Sequence, residues 1–400
     1  MTRMTQAALG VGCLAGGAPA HAAQWSFAPQ VSVWVDDDSN RYLSTAPNLT
    51  QSAYVNPSAV FQWSSETIQL SLKPWLLWQQ VSDSAYASVH SESLNGEYDW
   101  SGERGQLSLQ GGISDYTTLA TSIPDIGIVA PGLSRRTRQG SLSYALLQTE
   151  RRSLVLQLSW MDLSYYGPNS RLYDLFSGYE YGSVAIGEKF GLSEKTALTV
   201  SGFDNQLITP LGIGNSRESG LRLDLQRSFT ERTSLKAYAG VSQRSLEELR
   251  SNVALPALHA TNDVAGLGGL TLSLATLRGH LDLDFADSLV PYSGGVLAQR
   301  ESLTLSDTQS LSEKVDVTLS AARIQNSHAA VALGIDRGYY DTVTLGLDWH
   351  YAMSWRLHCE AGYTHTDTLI FGAGQSAQPV NEWRGALSLN WTPLPTVRTF

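Results

Sequence analysis

The chain has 400 residues, of which 42% are hydrophobic and 16% charged, with two cysteines and a formal net charge of −10 at pH 7. This acidic balance argues against nucleic acid as a partner, because binding to a phosphate backbone depends on clustered Lys and Arg. Only Cys359 follows the first 22 residues, so no disulfide is expected within the remainder.

Residues 1–22 have the features of a secretory signal peptide. Arg3 precedes a modest apolar stretch at 7–18, and Ala-His-Ala at 20–22 is a small-residue cleavage site. We therefore predict that residues 23–400 form the folded domain. No later stretch approaches 18 consecutive apolar residues, so a membrane-spanning helix is not predicted.

Nine short polar turns recur along the chain, and apolar and polar residues alternate on both sides of each turn. An apolar period of two predicts strands with one wet face and one apolar face. Short turns at one end and longer loops at the other predict an all-β, antiparallel up-and-down transmembrane β-barrel with the short turns in the periplasm. The turns lie at 64–67, 101–105, 148–152, 191–196, 230–233, 275–279, 310–314, 351–354 and 392–396.

Following the apolar faces along the chain gives 18 strands, within a range of 16–20. An even number places both termini on the side of the short turns. Trp63, Trp100, Trp349 and Trp355 sit beside those turns and predict an aromatic girdle at the membrane boundary. A β-propeller has a similar repeat length, but it needs four short strands per repeat rather than two long ones.

The ninth turn, at 392–396, is the exception in this series. Pro393 and Pro395 break any ladder there, and we interpret the segment as one more periplasmic turn, with 397–400 beginning another strand. Two alternatives follow from that interpretation. Either the barrel closes at 18 strands with a short tail, or a final hairpin is missing.

Residues out of phase with the apolar faces are predicted to point into the barrel. This set is polar, mixed in sign and somewhat acidic, and an 18-stranded barrel is wide enough for an aqueous channel whose charges set solute preference. For any single residue, the alternative is a pairing role that holds the barrel open. The candidate pore-lining residues are Arg222, Asp224, Lys236, Asp282, Asp284, Asp316, Asp348, Arg356, Glu360, Glu382 and Arg384.

The loop predicted at 115–138 is unusually apolar for an external loop. It would be more stable folded inward, where it could constrict the pore with Arg135, Arg136 and Arg138 beside it. Packing against neighbouring loops at the rim is an equal alternative.

The next predicted loop, at 162–178, carries Tyr165, Tyr166 and Tyr173, which are candidates for stacking on sugar rings. Ordinary rim packing is the alternative for these tyrosines. We expect the acidic run at 36–38 to lie in a solvated loop, with a divalent cation near lipopolysaccharide as the less favoured interpretation.

No nucleophile elbow, phosphate-binding glycine loop or HExxH motif is present, so an enzyme is not predicted. His350 and His358 flank the turn at 351–354 with Glu360 nearby, which is the pattern of a possible metal site. Lumenal histidines without that role are commoner, and no metal or cofactor is predicted. His280 lies near Asp282, but no serine completes a hydrolase triad.

The features in question span residues 24–392: a first strand ending in VWVDDDSNRYLS, short Glu-Arg or Glu-Lys turns, and meandering hairpins. In these features the chain resembles β-barrel porins of Gram-negative bacteria, most of all those found with exopolysaccharide synthesis and export systems. The resemblance implies secretion through the periplasm to the outer membrane, lipid and lipopolysaccharide as surroundings, and a pore for polysaccharide with periplasmic export components as partners. A structural or adhesive barrel that binds surface glycans through its tyrosine-rich loops is the alternative function.

Overall fold

The computed structural model describes residues 23–41, 47, 49–82, 88–117, 133–167, 178–209, 215–246, 261–292, 296–330, 335–367 and 379–399. The alternating segments form long antiparallel strands. Within these ranges, no helix is long and apolar enough to cross a membrane. The strands are β1 (Gln24–Asp38), β2 (Thr50–Ser64), β3 (Ile68–Val81), β4 (Ser88–Ser101), β5 (Gly105–Thr117), β6 (Ser134–Thr149), β7 (Arg152–Tyr166), β8 (Tyr179–Ser193), β9 (Thr196–Ile208), β10 (Asn215–Ser228), β11 (Thr233–Leu246), β12 (Thr261–Ala275), β13 (Gly279–Tyr292), β14 (Val296–Ser312), β15 (Val315–Ala330), β16 (Ile335–Ala352), β17 (Trp355–Thr366), β18 (Val380–Trp391) and β19 (Thr396–Thr399).

From β1 to β18, each strand pairs with the next one along the chain, and β1 also pairs antiparallel with β18, from Val31 opposite Trp391 to Asp38 opposite Arg384. This last pairing closes the sheet into a barrel. The structure therefore confirms the predicted closed, antiparallel barrel of 18 strand positions. We call the rim that carries the short turns the turn end and the opposite rim the loop end.

The first eight predicted turns connect consecutive strands, but the ninth prediction is wrong. β19 does not reverse direction; it continues along β1, with Thr396 opposite Phe27 and Thr399 opposite Gln24. Residues 392–395 span four positions where β1 has the three residues 28–30, so the chain bulges by one residue. Two prolines without N–H groups interrupt the ladder here without turning the chain.

The outer surface of the barrel is apolar. Leu221, Val241 and Ile186 are 63%, 58% and 56% exposed, and Trp349 and Trp355 lie exposed beside the turn end. An exposed apolar surface of this extent is unfavourable in water and favourable in lipid. The residues that were predicted to form the apolar strand faces are thus the residues that point outward from the barrel.

The wall is incomplete between β12 and β13. These strands pair only from Gly268 opposite Asp287 to Ala275 opposite His280, although β12 stays paired with β11 up to Thr261. β13 and β14 remain paired with each other to their ends, whereas the pairing of β14 with β15 begins only at Gln299. Hence the end of the β13–β14 hairpin, described for residues 288–292 and 296–298 (the hairpin tip), leaves the wall.

The hairpin tip enters the lumen. Leu297 packs against a buried cluster on the inner face of β7, β8 and β9, made of Leu163, Tyr179 and Leu207. Arg244, on the inner face of β11, donates a hydrogen bond from Nη2 to Gln299 Oε1 at 3.1 Å. Because β14 is at least five strand positions away from β9, these contacts carry the tip across the interior.

Candidate functional site in the lumen

All eleven candidate pore-lining residues lie on the inner side of the wall, out of phase with the exposed apolar residues. They fall into two groups on different sides of the barrel. One group runs along β15 to β18, and the other lies on β10 to β13. Their role in solute passage stays a prediction.

The first group forms a series of ion pairs and histidine–carboxylate contacts along the wall, which we call the charge ladder. At the turn end, His350 Nε2 lies 3.3 Å from Asp316 Oδ2. One strand further, Asp348 Oδ1 is shared by Arg356 Nε at 3.4 Å and His358 Nδ1 at 3.1 Å. Asp316 and Asp348 lie directly opposite each other across β15 and β16, and each carboxylate contacts a basic side chain of its own.

The charge ladder continues toward the loop end. His358 Nε2 lies 3.6 Å from Glu360 Oε2, and Arg384 Nη1 lies 4.0 Å from Glu360 Oε1. Arg384 Nη2 also reaches Asp36 Oδ2 at 3.4 Å. The series thus follows the inner wall from the short turn after β16 to the end of β1.

A buried cluster closes the charge ladder at the loop end. The Asp36 side chain is 2% exposed and lies 3.5 Å from Arg41, which also donates to Ser52 Oγ at 2.7 Å and Tyr54 Oη at 2.6 Å. Burial lowers the pKa of Arg41, but the attraction of Tyr54, Asp36 and Asp38 more than offsets this, so its pKa is raised.

The run at 36–38 belongs to β1 and not to a solvated loop, which corrects the prediction. Asp36 and Asp38 point inward and are buried, while Asp37 points outward. Glu382, from β18, is also buried and lies beside Asp38. The reason is strand length: β1 keeps its alternation through all three aspartates.

The second group is arranged around an arginine and an aromatic ring. Arg222 binds Asp224 Oδ1 through Nε at 2.8 Å and Nη2 at 2.5 Å, and its guanidinium lies 4.1 Å from the centre of the Tyr238 ring. Tyr238 lies over Gly269, where a Cβ atom would meet the ring at 2.1 Å. The absence of a side chain at Gly269 is therefore what lets the ring lie flat on the wall.

The remaining acidic residues of this group are bonded within the wall. Asp284 accepts a hydrogen bond from Thr271 Oγ1 at 2.6 Å. Asp282 accepts one from Ser273 Oγ at 2.6 Å and lies 2.7 Å from His280 Nε2. Lys236 shares this inner face. These contacts match the alternative in which single residues pair across strands.

A cavity of about 530 Å³ lies between the hairpin tip and the wall of β7 to β12. Polar and aromatic side chains cover the wall side, and Ser288 and Leu289 of the hairpin tip cover the other side. The wall-side residues used below are Tyr181, Phe203, Asn205, Glu218, Arg222 and Tyr238.

Arg135, Arg136 and Arg138 lie in β6 and not in a loop, which corrects that part of the predicted constriction. Arg136 and Arg138 share the outward face of Leu142 and bind Asp115 at 2.8 Å and Asp162 at 3.4 Å. Only Arg135 has the inward phase. The regular β6 register with β5 and β7 begins at Ser134, earlier than the polar sequence suggested. The apolar segment at 118–132 lies outside the described residues.

The tyrosines proposed for sugar stacking do not form one platform. Tyr165 points inward and packs on the cluster that holds the hairpin tip. Tyr166 points outward, donates a hydrogen bond to Asp115, and lies 5.2 Å below the guanidinium of Arg136. Tyr173 lies outside the described residues.

His350 and His358, beside the turn after β16, do not point at one common site. His350 is opposite Arg356 and His358 is opposite Asp348, so the rings contact different carboxylates. Across the described ranges, no group of three or more His, Cys, Asp or Glu side chains is arranged to hold a metal ion.

Sequence reasoning missed the hairpin tip as the element that narrows the lumen. A signal was present: Leu289 and Val290, and again Leu297 and Ala298, are consecutive apolar residues. Loss of alternation indicates a strand covered on both faces, as parallel-sheet strands are. The connection between β13 and β14 is also short, three residues at 293–295.

The apolar exterior, the closed ladder and the charged interior together define a transmembrane β-barrel with a polar lumen. No protein-family model matches the chain, and no curated protein matches it.

Among solved structures, similar barrels include OccAB4 of Acinetobacter baumannii, with 10% sequence identity over 94% of this chain and 98% of that chain and a TM-score of 0.48. OccK5 (OpdH) of Pseudomonas aeruginosa has 10% identity over 92% of this chain and 98% of that chain, with a TM-score of 0.48. The outer membrane protein OpdK of P. aeruginosa has 10% identity over 94% and 99%, with a TM-score of 0.47. Likeness at this level concerns the barrel shape and says nothing about a solute.

Proposed function

We propose that this protein is a pore of the Gram-negative outer membrane that lets small polar solutes cross. The observation that carries the proposal is the charge ladder, which lines the inner wall from the turn end to the loop end. Ionised side chains in a water-filled lumen give a polar solute partners along its whole path. A barrel with a purely structural role has no need of a charged path through its interior.

The finer proposal is passage of saccharide, including a growing exopolysaccharide, which the resemblance to export-associated porins suggests. The hairpin tip limits the size of a solute that could pass, because Leu297 and Gln299 anchor it across the lumen. Small saccharides need only the space beside the tip. A continuous polymer would need the tip to swing back toward the wall.

The test is recording from the refolded chain in planar bilayers, with liposome swelling for uncharged solutes. We expect discrete conductance steps and swelling rates that fall with the size of the saccharide. Leu297→Ala, which weakens the anchor of the hairpin tip, serves as the opened variant. No conductance and no swelling in either protein would contradict the proposal.

A further inference from the structure

The cavity beside the hairpin tip contains an ionisable group with an unused hydrogen-bonding atom. Glu218, on the inner face of β10, is 2% exposed. Its Oε2 accepts a hydrogen bond from Asn205 Nδ2 at 2.9 Å, whereas Oε1 is buried without a partner. A buried carboxylate oxygen left unpaired is costly, so a group that donates to it gains more than an ordinary hydrogen bond.

The nearest cation in register does not satisfy this oxygen. Arg244 is directly opposite Glu218 across β10 and β11. Its Nη2 instead binds Gln299 of β14, and its Nε is buried without a partner. Glu218 Oε1 is thus left as an unused acceptor, while Arg244 is engaged with the hairpin.

The rest of the cavity points to a particular ligand chemistry. Phe203, Tyr181 and Tyr238 supply ring faces, and Asn205 supplies an amide. The charges that line the cavity are balanced, with Lys189 and Arg222 against Glu218 and Asp224. Ring faces with hydrogen-bonding groups and no net charge suit a solute with apolar C–H faces, several hydroxyl groups and no charge of its own.

Building on the proposed pore function, we propose that this cavity is a binding site for an uncharged polyhydroxylated solute of sugar size. Hydroxyl groups of the solute donate to Glu218 Oε1, and its C–H face lies on the aromatic rings. The hairpin tip covers the site through Ser288 and Leu289. The cavity would then act as a selective binding site beside the open part of the pore.

The test is titration calorimetry on the refolded full chain with glucose, glucosamine and glucuronate, which differ in charge on one ring scaffold. We expect glucose to bind, and Glu218→Gln to weaken that binding about tenfold, since it removes a hydrogen bond to a charged group. Glu92→Gln makes the same change on the exposed outer side of β4 and should leave binding unchanged. Phe203→Leu keeps an apolar side chain and removes the ring, so it should also weaken binding.

The outcomes separate this inference from the proposed function. Glucose binding that depends on Glu218 supports the site even if the barrel does not conduct. Conductance with glucose binding unaffected by both Glu218→Gln and Phe203→Leu overturns the site and leaves the pore intact. Tighter binding of glucosamine than of glucose, or no binding of glucose, also overturns the proposed ligand class.

Discussion

Leu297, near the start of β14, packs against the cluster that contains Leu207 of β9, and Leu207 is 0% exposed. The two residues belong to strands on different sides of the lumen. Their contact converts a hairpin that would otherwise extend the wall into a partition inside the barrel. It also defines the cavity that contains Glu218.

Replacing Leu297 by Ala should release the hairpin tip. The substitution removes apolar contact with Leu163, Tyr179 and Leu207, at a cost of about 1–2 kcal/mol for a partly buried leucine. We expect larger single-channel conductance and more frequent switching between levels in planar bilayers. Leu297→Met keeps the apolar volume and should behave like the unchanged protein; equal conductance in all three proteins would show that the tip does not narrow the pore.

Substituting Gly269 by Ala should displace the Tyr238 ring and, with it, the Arg222 guanidinium. A methyl group there meets the ring, and relieving such an overlap typically costs about 1–3 kcal/mol. The matched control is Gly266→Ala in the same strand, where a Cβ atom meets nothing within 4 Å. Urea midpoints followed by intrinsic fluorescence measure the difference, and a midpoint shift as large for Gly266→Ala would refute the explanation.

Removing the carboxylate of Asp36 should destabilise the barrel far more than removing that of Asp37. Asp36→Asn removes the carboxylate that Arg41 contacts directly inside the buried cluster, for which the expected cost is about 3 kcal/mol or more. Asp37→Asn alters an exposed outward group, with an expected effect within about 0.5 kcal/mol. Thermal unfolding monitored by the loss of the folded band in gels would rank the two variants; similar midpoints would argue against the buried cluster.

Neutralising Asp348 should change ion selectivity. Asp348→Asn deprives Arg356 and His358 of their common acceptor and makes this part of the lumen more positive, so anion permeability should rise. The measurement is the reversal potential in a KCl gradient. Asp341→Asn, on the outward face of β16 where Asp341 lies 3.7 Å from Arg323, should leave the reversal potential unchanged.

The sequence was sufficient to predict the strand number, the closed antiparallel order and the two faces of the wall. Adjacent residues such as Leu221 and Arg222 differ strongly in polarity, so the local sequence alone indicates which of them faces outward and which faces inward. Local pattern also misled. The two prolines at 393 and 395 were interpreted as a turn, although the chain continues along β1. Arg136 was interpreted as a residue near the pore, because beyond the apolar belt a charged residue can lie on either face of a strand.

The position of the hairpin tip inside the lumen is not determined by the local sequence, unlike the strands. Its position depends on the contact of Leu297 with β7 to β9, which is distant in sequence, and on the hydrogen bond between Arg244 and Gln299. Neither contact has a periodic signal. The unused oxygen of Glu218 is likewise visible only once β9, β10 and the hairpin are assembled.

The gap between β12 and β13 has a consequence for the surrounding lipid. Beyond Gly268, the β13-facing edge of β12 has no strand partner among the described residues, and hydrocarbon cannot hydrogen-bond to its N–H and C=O groups. Polar headgroups or water must therefore reach down to the level of Gly268. The eight paired residues from Gly268 to Ala275 span only about 20 Å along the membrane normal once tilted, less than the usual apolar band of about 25 Å. The bilayer is accordingly expected to be thinned beside β12, so that this protein shapes the membrane it occupies on one side only.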